Sequence, residues 1–183
     1  ARSNELKEAG IPMGAPYFKY RDMLREIDAV IVSSNYSVYG SLSTRVMHTL
    51  ESLVPHIEVY SIDEAWLYLD AIPEHQLEHE CQNIAQTVKK HTGIPVSIGI
   101  APSKVLAKVA NRICKKRKLS SNVFSLMDAE ERGLALPSIK VGDLWGVGRR
   151  LSEKLNRQGI ITAADLRDAD PDDMRKRYNV LMQ

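Results

Sequence analysis

Asp63 and Glu64 are adjacent carboxylates in the stretch Ser61-Ile62-Asp63-Glu64, which lies between two short β-prone runs, His56–Tyr60 and Ala65–Leu69. On a regular strand, neighbouring side chains point to opposite faces of the sheet. The two acids can therefore serve one site only where the strand breaks into a turn, and the stretch is expected at the tip of a hairpin. A carboxylate pair held there suits a hard divalent cation, because Mg2+ takes carboxylate oxygens and leaves room for substrate phosphates. The plain alternative is a polar turn with two solvated acids, since short motifs often match by chance.

A second candidate is a run of positive charge. Lys104, Lys108, Arg112, Lys115, Lys116, Arg117 and Lys118 crowd one segment with no acid among them. Ser103 reads as the N-cap of a helix running through Lys118. Val105, Leu106, Val109, Ala110 and Ile113 fall on one side of it, and Lys104, Lys108, Arg112 and Lys115 on the other. A solvated basic face and a membrane-surface helix both fit this pattern. Unbroken positive charge favours an anionic partner, with these side chains contacting phosphates. Aromatic residues make up 6% of the chain, so no aromatic stacking platform for single strands is evident.

Trp145-Gly146-Val147-Gly148-Arg149-Arg150 leads into a helix predicted over Arg149–Gln158, and Gly159-Ile160 closes it. Glycines before a helix N-terminus leave backbone N–H groups free, and with the helix dipole they make an anion site to which Arg149 and Arg150 add charge. The order of helix, Gly-apolar-Gly, helix and Gly-Ile resembles a helix–hairpin–helix element, a binder of the DNA backbone. A simple tight turn is the alternative. His75-Gln76-Leu77-Glu78-His79 also fits the inverted zinc-protease pattern, which makes a metalloprotease a rival reading. Both histidines lie opposite the apolar face of their helix and no third ligand is identifiable, so solvated surface describes them better.

The elements that must position these residues follow from periodicity. Pro16–Glu26 is predicted as a short helix and Ala29–Val32 as a short strand. Val38, Leu42, Val46, Leu50 and Leu53 recur at helical spacing, giving a helix over Ser37–Val54 that Pro55 ends. Glu74–His91 is a helix with Leu77, Cys81, Ile84 and Val88 buried and Gly93 as its stop, followed by a strand at Val96–Ile100. Ser120 to Lys140 reads as a polar connector. Beyond Gly159, Thr162 caps one helix and Pro171 opens another. The core of this order, helix–strand–strand–helix–strand, is most of a ferredoxin-like layer. The fold class is thus α+β: an incomplete ferredoxin-like layer followed by an all-helical unit. A well-formed first strand is lacking; Ala29–Val32 would fill the slot, or the strand lies upstream.

The chain has 183 residues, a net charge of +2 and two cysteines, Cys81 and Cys114, without metal-ligand spacing. These fit a reducing, intracellular protein with a sizeable core. No run approaches the roughly 18–20 apolar residues of a membrane span, so no membrane partner is expected. The start at Ala1 without methionine or leader pattern suggests processing, truncation or a disordered start.

Together these residues resemble the Y-family (translesion) DNA polymerases, in particular their UmuC-type catalytic subunits. Ser61-Ile62-Asp63-Glu64-Ala65 with Trp66-Leu67-Tyr68-Leu69 is similar to the family's second catalytic motif. Gly99-Ile100-Ala101-Pro102-Ser103-Lys104 and Leu106-Ala107-Lys108-Val109-Ala110-Asn111 resemble its palm strand and basic helix. Gly10-Ile11-Pro12-Met13-Gly14, Ser33-Ser34-Asn35-Tyr36 and the Trp145–Arg150 stretch point to the UmuC-type branch. The resemblance implies a short fingers segment over 1–34, a palm lacking its first strand over 35–118, and a thumb with the helix–hairpin–helix over 119–183. It implies template-directed nucleotidyl transfer past damage with two Mg2+ ions: Asp63 bridging both, and Glu64 holding the one that activates the primer 3′-hydroxyl. Lys7 and Lys115 would contact the dNTP triphosphate. Lys104, Lys108, Gly146, Gly148, Arg149 and Arg150 would contact primer–template DNA. UmuD'-like accessory subunits, a RecA filament and the sliding clamp are the implied partners, in a bacterial cytoplasm. The departures are equally specific. The family's first catalytic aspartate and its aromatic steric gate would lie upstream, Asn4 and Lys7 replace the usual fingers tyrosine and arginine, and no little-finger domain follows. An internal fragment, inactive alone, is expected. A non-catalytic DNA-backbone-binding module is the alternative.

Overall fold

Apolar spacing and capping decide most of the elements in the computed structural model, which describes residues 1–178. They fall into two compact units, one up to Leu42 and one from Ser43 onward.

The first unit holds α1 (Asn4–Glu8), α2 (Tyr17–Glu26) and the start of α3 (Tyr36–Leu53). Ser3 caps α1, accepting from the Leu6 amide. The strand expected at Ala29–Val32 is not formed: Val30, Ile31 and Val32 belong to no strand and are 86%, 56% and 79% exposed. Apolar, β-branched residues favour a strand only when a neighbouring strand takes up their N–H and C=O groups.

In the second unit, Val46, Met47, Leu50 and Val54 from α3 and its end share a core with Ile84 and Val88 of α4 (Glu74–Thr92). Ile57, Ala65 and Leu67 of the antiparallel hairpin β1 (Ile57–Ser61) and β2 (Glu64–Leu67) pack against it. Leu53, expected in this stripe, is 39% exposed, and Val54 is buried instead. Gly93 ends α4 at φ 77°, a left-handed position that glycine adopts without strain.

After α4 come β3 (Ile98–Ile100), α5 (Lys104–Arg117) and β4 (Val123–Ser125), with β3 and β4 paired in parallel. β4 and α6 (Ala129–Ala135) lie inside the stretch expected to be a plain connector. Three residues are too few to show a period, and a parallel strand is paired through its crossover helix rather than through its sequence neighbours. Gly99 lets β3 lie directly on α5, because a Cβ there would run into the Ala107 carbonyl oxygen and the Asn111 amide nitrogen. Instead of one ferredoxin-like sheet, the described residues form two separate two-stranded ladders.

One apolar core then carries the chain onward. Val109, Ala110 and Ile113 of α5 pack with Leu126, Leu136, Val141 and Val147. Leu155 of α7 (Arg149–Asn156), Ala163 and Ala164 of α8 (Ala163–Asp168) and Met174 of α9 (Pro171–Arg177) complete it. Packing is therefore continuous past Lys118. Thr162 and Asp165 close a capping box on α8.

Candidate active site

The register of the hairpin explains how neighbouring acids are placed. Glu58 pairs with Trp66 and Val59 with Ala65, but the next pair is Ser61 with Glu64. Tyr60 is the extra residue, so β1 carries a bulge opposite Glu64. Ile62 and Asp63 form the tip, where Ser61 Oγ donates to Asp63 Oδ1 at 2.7 Å. Asp63 stands exposed, whereas Glu64 is half-buried.

The face of the hairpin opposite the α3–α4 core meets the basic face of α5. Lys108 Nζ donates to both Glu64 oxygens, at 2.9 and 2.8 Å. One turn earlier, Lys104 Nζ donates to Glu58 Oε2 at 2.6 Å, and the Tyr68 hydroxyl donates to the same oxygen at 2.9 Å. The Lys104 ammonium, then Tyr68, hold the Glu58 carboxyl below its usual range, and Glu58 in turn raises Lys104. Arg112 pairs with Asp143 at 2.8 Å. The phosphate-contacting face expected on α5 is thus largely engaged by acids of the same protein. Those acids come from distant sequence positions, which a local charge count cannot see.

Aromatic rings surround the two lysines. Trp145 meets Tyr60 edge-on with centroids 5.6 Å apart, lies 5.6 Å from Trp66, and donates its indole N–H to the Tyr60 hydroxyl at 3.1 Å. Lys108 Nζ lies 5.1 Å from the Tyr60 ring and 5.9 Å from Trp145, while Lys104 Nζ lies 5.5 Å from Trp66. These are cation–π distances. A low overall aromatic content conceals this local cluster. The clue in the sequence was alternation, which places Glu58, Glu64, Trp66 and Tyr68 on one face.

Below the cluster opens a cleft of about 990 Å³. Glu64, Trp66, Lys104, Lys108, Arg112 and Lys115 are among its lining residues, between the edges of β2 and β3. The indole N–H of Trp66 is buried there with no partner among the described residues. Asp63 lies outside that lining, at the exposed tip.

The glycine turn reaches the same neighbourhood through Trp145. Gly146 has φ 92°, Val147 is buried, and Gly148 begins α7 with no side-chain cap on its first amides. Arg149 and Arg150 are exposed, Arg149 lying 4.0 Å from Glu153. The element before the turn is a pair of short 3-10 segments, Leu136–Ser138 and Val141–Asp143, rather than a full α-helix. Lys7 belongs to the other compact unit, on α1, where Nζ donates to Asn4 Oδ1 at 3.0 Å. His75 and His79 bond Gln76 and Asn83 on the exposed side of α4.

Asp63 and Glu64 offer oxygen donors, which suits Mg2+, and the Lys108 ammonium already stands on Glu64 in the place of a cation. Among the described residues no cluster of three or more His, Cys, Asp or Glu side chains could hold a metal. Of the two acids it is Glu64 that lines the cleft, and its carboxylate suits an ion that keeps water and phosphate oxygens as its remaining ligands.

Solved structures share the fold. The fold is similar to that of the insertion ternary complex of Dbh DNA polymerase, with a TM-score of 0.81 and 23% identity over 98% of this chain and 52% of the other. A Y-family DNA polymerase chimera of Dbh and Dpo4 matches with a TM-score of 0.78 and 25% identity, over 96% and 50%. Among sequences, the chain is 43% identical to the protein UmuC of Salmonella typhimurium over all of its own length and 44% of the relative's. The impB/mucB/samB family matches residues 1–112, and the chain belongs to that family. It spans less than half the length of this curated relative. No helix among the described residues is long and apolar enough to cross a membrane.

Proposed function

We propose that this chain is the acid-bearing core of a DNA-directed DNA polymerase that extends primers past template damage. The observation that carries the reading is the bulged hairpin, which sets Glu64 against a basic, aromatic-rimmed cleft in a chain of this family. Asp63 and Glu64 would hold two Mg2+ ions together with substrate oxygens, and the ions would supply charge stabilisation to phosphoryl transfer. Lys115, in the cleft lining, and Lys7 are the proposed triphosphate contacts. Lys104, Lys108, Gly146, Gly148, Arg149 and Arg150 are the proposed contacts to primer–template backbone. The uncapped first turn of α7 supports that role for the glycine turn. In this reading 1–34 serves as fingers, 35–118 as palm and 119–183 as thumb, of which 179–183 lie outside the described residues. Accessory subunits of the UmuD' type, a RecA filament and the sliding clamp are its proposed partners, in a bacterial cytoplasm.

The test is primer extension by a chimera in which these residues replace the matching part of the Salmonella typhimurium UmuC relative. Asp63→Asn or Glu64→Gln should lower nucleotide incorporation by about a hundredfold or more, as loss of transition-state charge stabilisation does, with DNA binding largely spared. Incorporation that survives both changes rejects the reading, provided circular dichroism shows a folded chimera.

A further inference from the structure

Lys108 is bonded more elaborately than a surface lysine needs to be. Its ammonium donates to both oxygens of Glu64 while lying over the Tyr60 ring and beside the Trp145 ring. Its side chain is 26% exposed, that of Glu64 40%. The bulge at Tyr60 faces Glu64 directly, so the ring and the carboxylate present themselves to one ammonium from two sides. Each supplies negative potential, one as formal charge and one as the face of a π-system.

We propose that Lys108 is a positioning residue that a divalent cation displaces: Glu64 exchanges the ammonium for the ion, and the aromatic rings retain the released lysine at the cleft. This rests on the reading of Glu64 as a cation ligand. Without an ion, Lys108 keeps the carboxylate neutralised and aimed at the cleft. With one, the ion competes for the same two oxygens and repels the ammonium, which moves onto Tyr60 and Trp145. There it faces whatever anion accompanies the ion. The exchange couples the ion to the indole that heads the glycine turn, since Trp145 also donates to the Tyr60 hydroxyl.

A purely structural lysine predicts the opposite sign. If Lys108 only held Glu64 in place, removing it would weaken ion binding; if it competes, removal strengthens binding. Mn2+ alone is the probe, its affinity for the 183-residue chain read from the electron paramagnetic resonance of free ion. Lys108→Gln should tighten Mn2+ roughly two- to fivefold, about the weight of one partly exposed charge pair. Lys108→Arg should restore the weaker affinity, and the gain should vanish when Glu64→Gln is added. Lys89→Gln, an equal charge loss on the last turn of α4, should leave affinity unchanged. Tryptophan emission should respond to Mn2+ in the unaltered chain and not in Lys108→Met, which keeps the apolar stem and provides a second test should Lys108→Gln fail to fold. Equal or weaker binding by Lys108→Gln with binding still dependent on Glu64 overturns the exchange alone. Mn2+ binding that ignores both Asp63→Asn and Glu64→Gln overturns the cation-ligand reading, and the exchange with it.

Discussion

The acid hairpin and the glycine turn meet at Trp145, yet different forces hold them. The hairpin has no fully buried residue; its outer face is fixed by Lys104 on Glu58, Lys108 on Glu64 and the aromatic rings. The turn and the helices after it are fixed by apolar residues, with Val141 and Leu155 completely enclosed. Charge pairs at a surface act over a few ångströms and depend on solution conditions, whereas apolar burial does not depend on pH. The half carrying the acids is therefore adjustable, and the half carrying the arginines is rigid.

The sharpest way to break this contrast is to empty the rigid half. Leu155→Ala removes a fully enclosed side chain and should cost about 2–5 kcal/mol in urea unfolding. A loss no larger than that of a surface substitution would show that the turn is not held by its core. Gly99→Ala comes next. Its methyl group would meet the backbone of α5, the helix that supplies both lysines, so about 1–3 kcal/mol or more should be lost and the lysine positions disturbed. Unfolding by urea, with tryptophan emission recorded alongside, separates the two effects.

A pH titration addresses the adjustable half alone. The depressed Glu58 carboxyl contributes stability that is present above its ordinary value near 4.5 and is lost as pH falls through its lower folded value. The raised Lys104 contributes stability that is present below its ordinary value near 10.5 and is lost as pH rises through its higher folded value. Emission from Trp66 and Trp145 should therefore hold steady between these limits and change beyond each of them, before the helical content falls. Simultaneous loss of both signals would argue against two separately held halves.

The smallest effect on stability belongs to Arg149→Ala with Arg150→Ala, both exposed side chains at the head of α7. Stability should barely change, while DNA binding weakens alike on unrelated duplexes. The slope of log affinity against log salt should flatten by about 0.9 for each phosphate the arginines no longer neutralise. An unaltered slope would leave the turn as a packing device for the core beneath it.

How much of this was legible in the sequence differs between the same two halves. Leu77, Cys81, Ile84 and Val88 announced the buried face of α4, and Gly93 its end, because a helix repeats its environment every turn or so. Asp63 and Glu64 announced a turn, because a straight strand would have parted them. The partners of Lys104, Lys108 and Arg112 were not legible: Glu58, Glu64 and Asp143 lie 46, 44 and 31 positions away. Local charge reading treated the lysines as available to an outside anion. β4 was missed for a related reason, since its only ladder partner among the described residues lies across a helix. Val30 to Val32 erred the other way, having strand chemistry and, among the described residues, no strand to join.

The bulge at Tyr60 sets how the hairpin can change length. Two residues of β1, Tyr60 and Ser61, share the place opposite Glu64; one lends a ring to Lys108 and the other a hydroxyl to Asp63. Deleting Tyr60 leaves a plain ladder in which Glu58 and Ser61 keep their partners, at the loss of its ring and of the hydroxyl that accepts from the Trp145 indole. Adding a residue within β2 has a different outcome, because strand faces alternate and Glu64 would turn toward the side packed by α3 and α4. The first strand thus has a residue to lose at its bulge without shifting its register, while a gain in the second reverses the site.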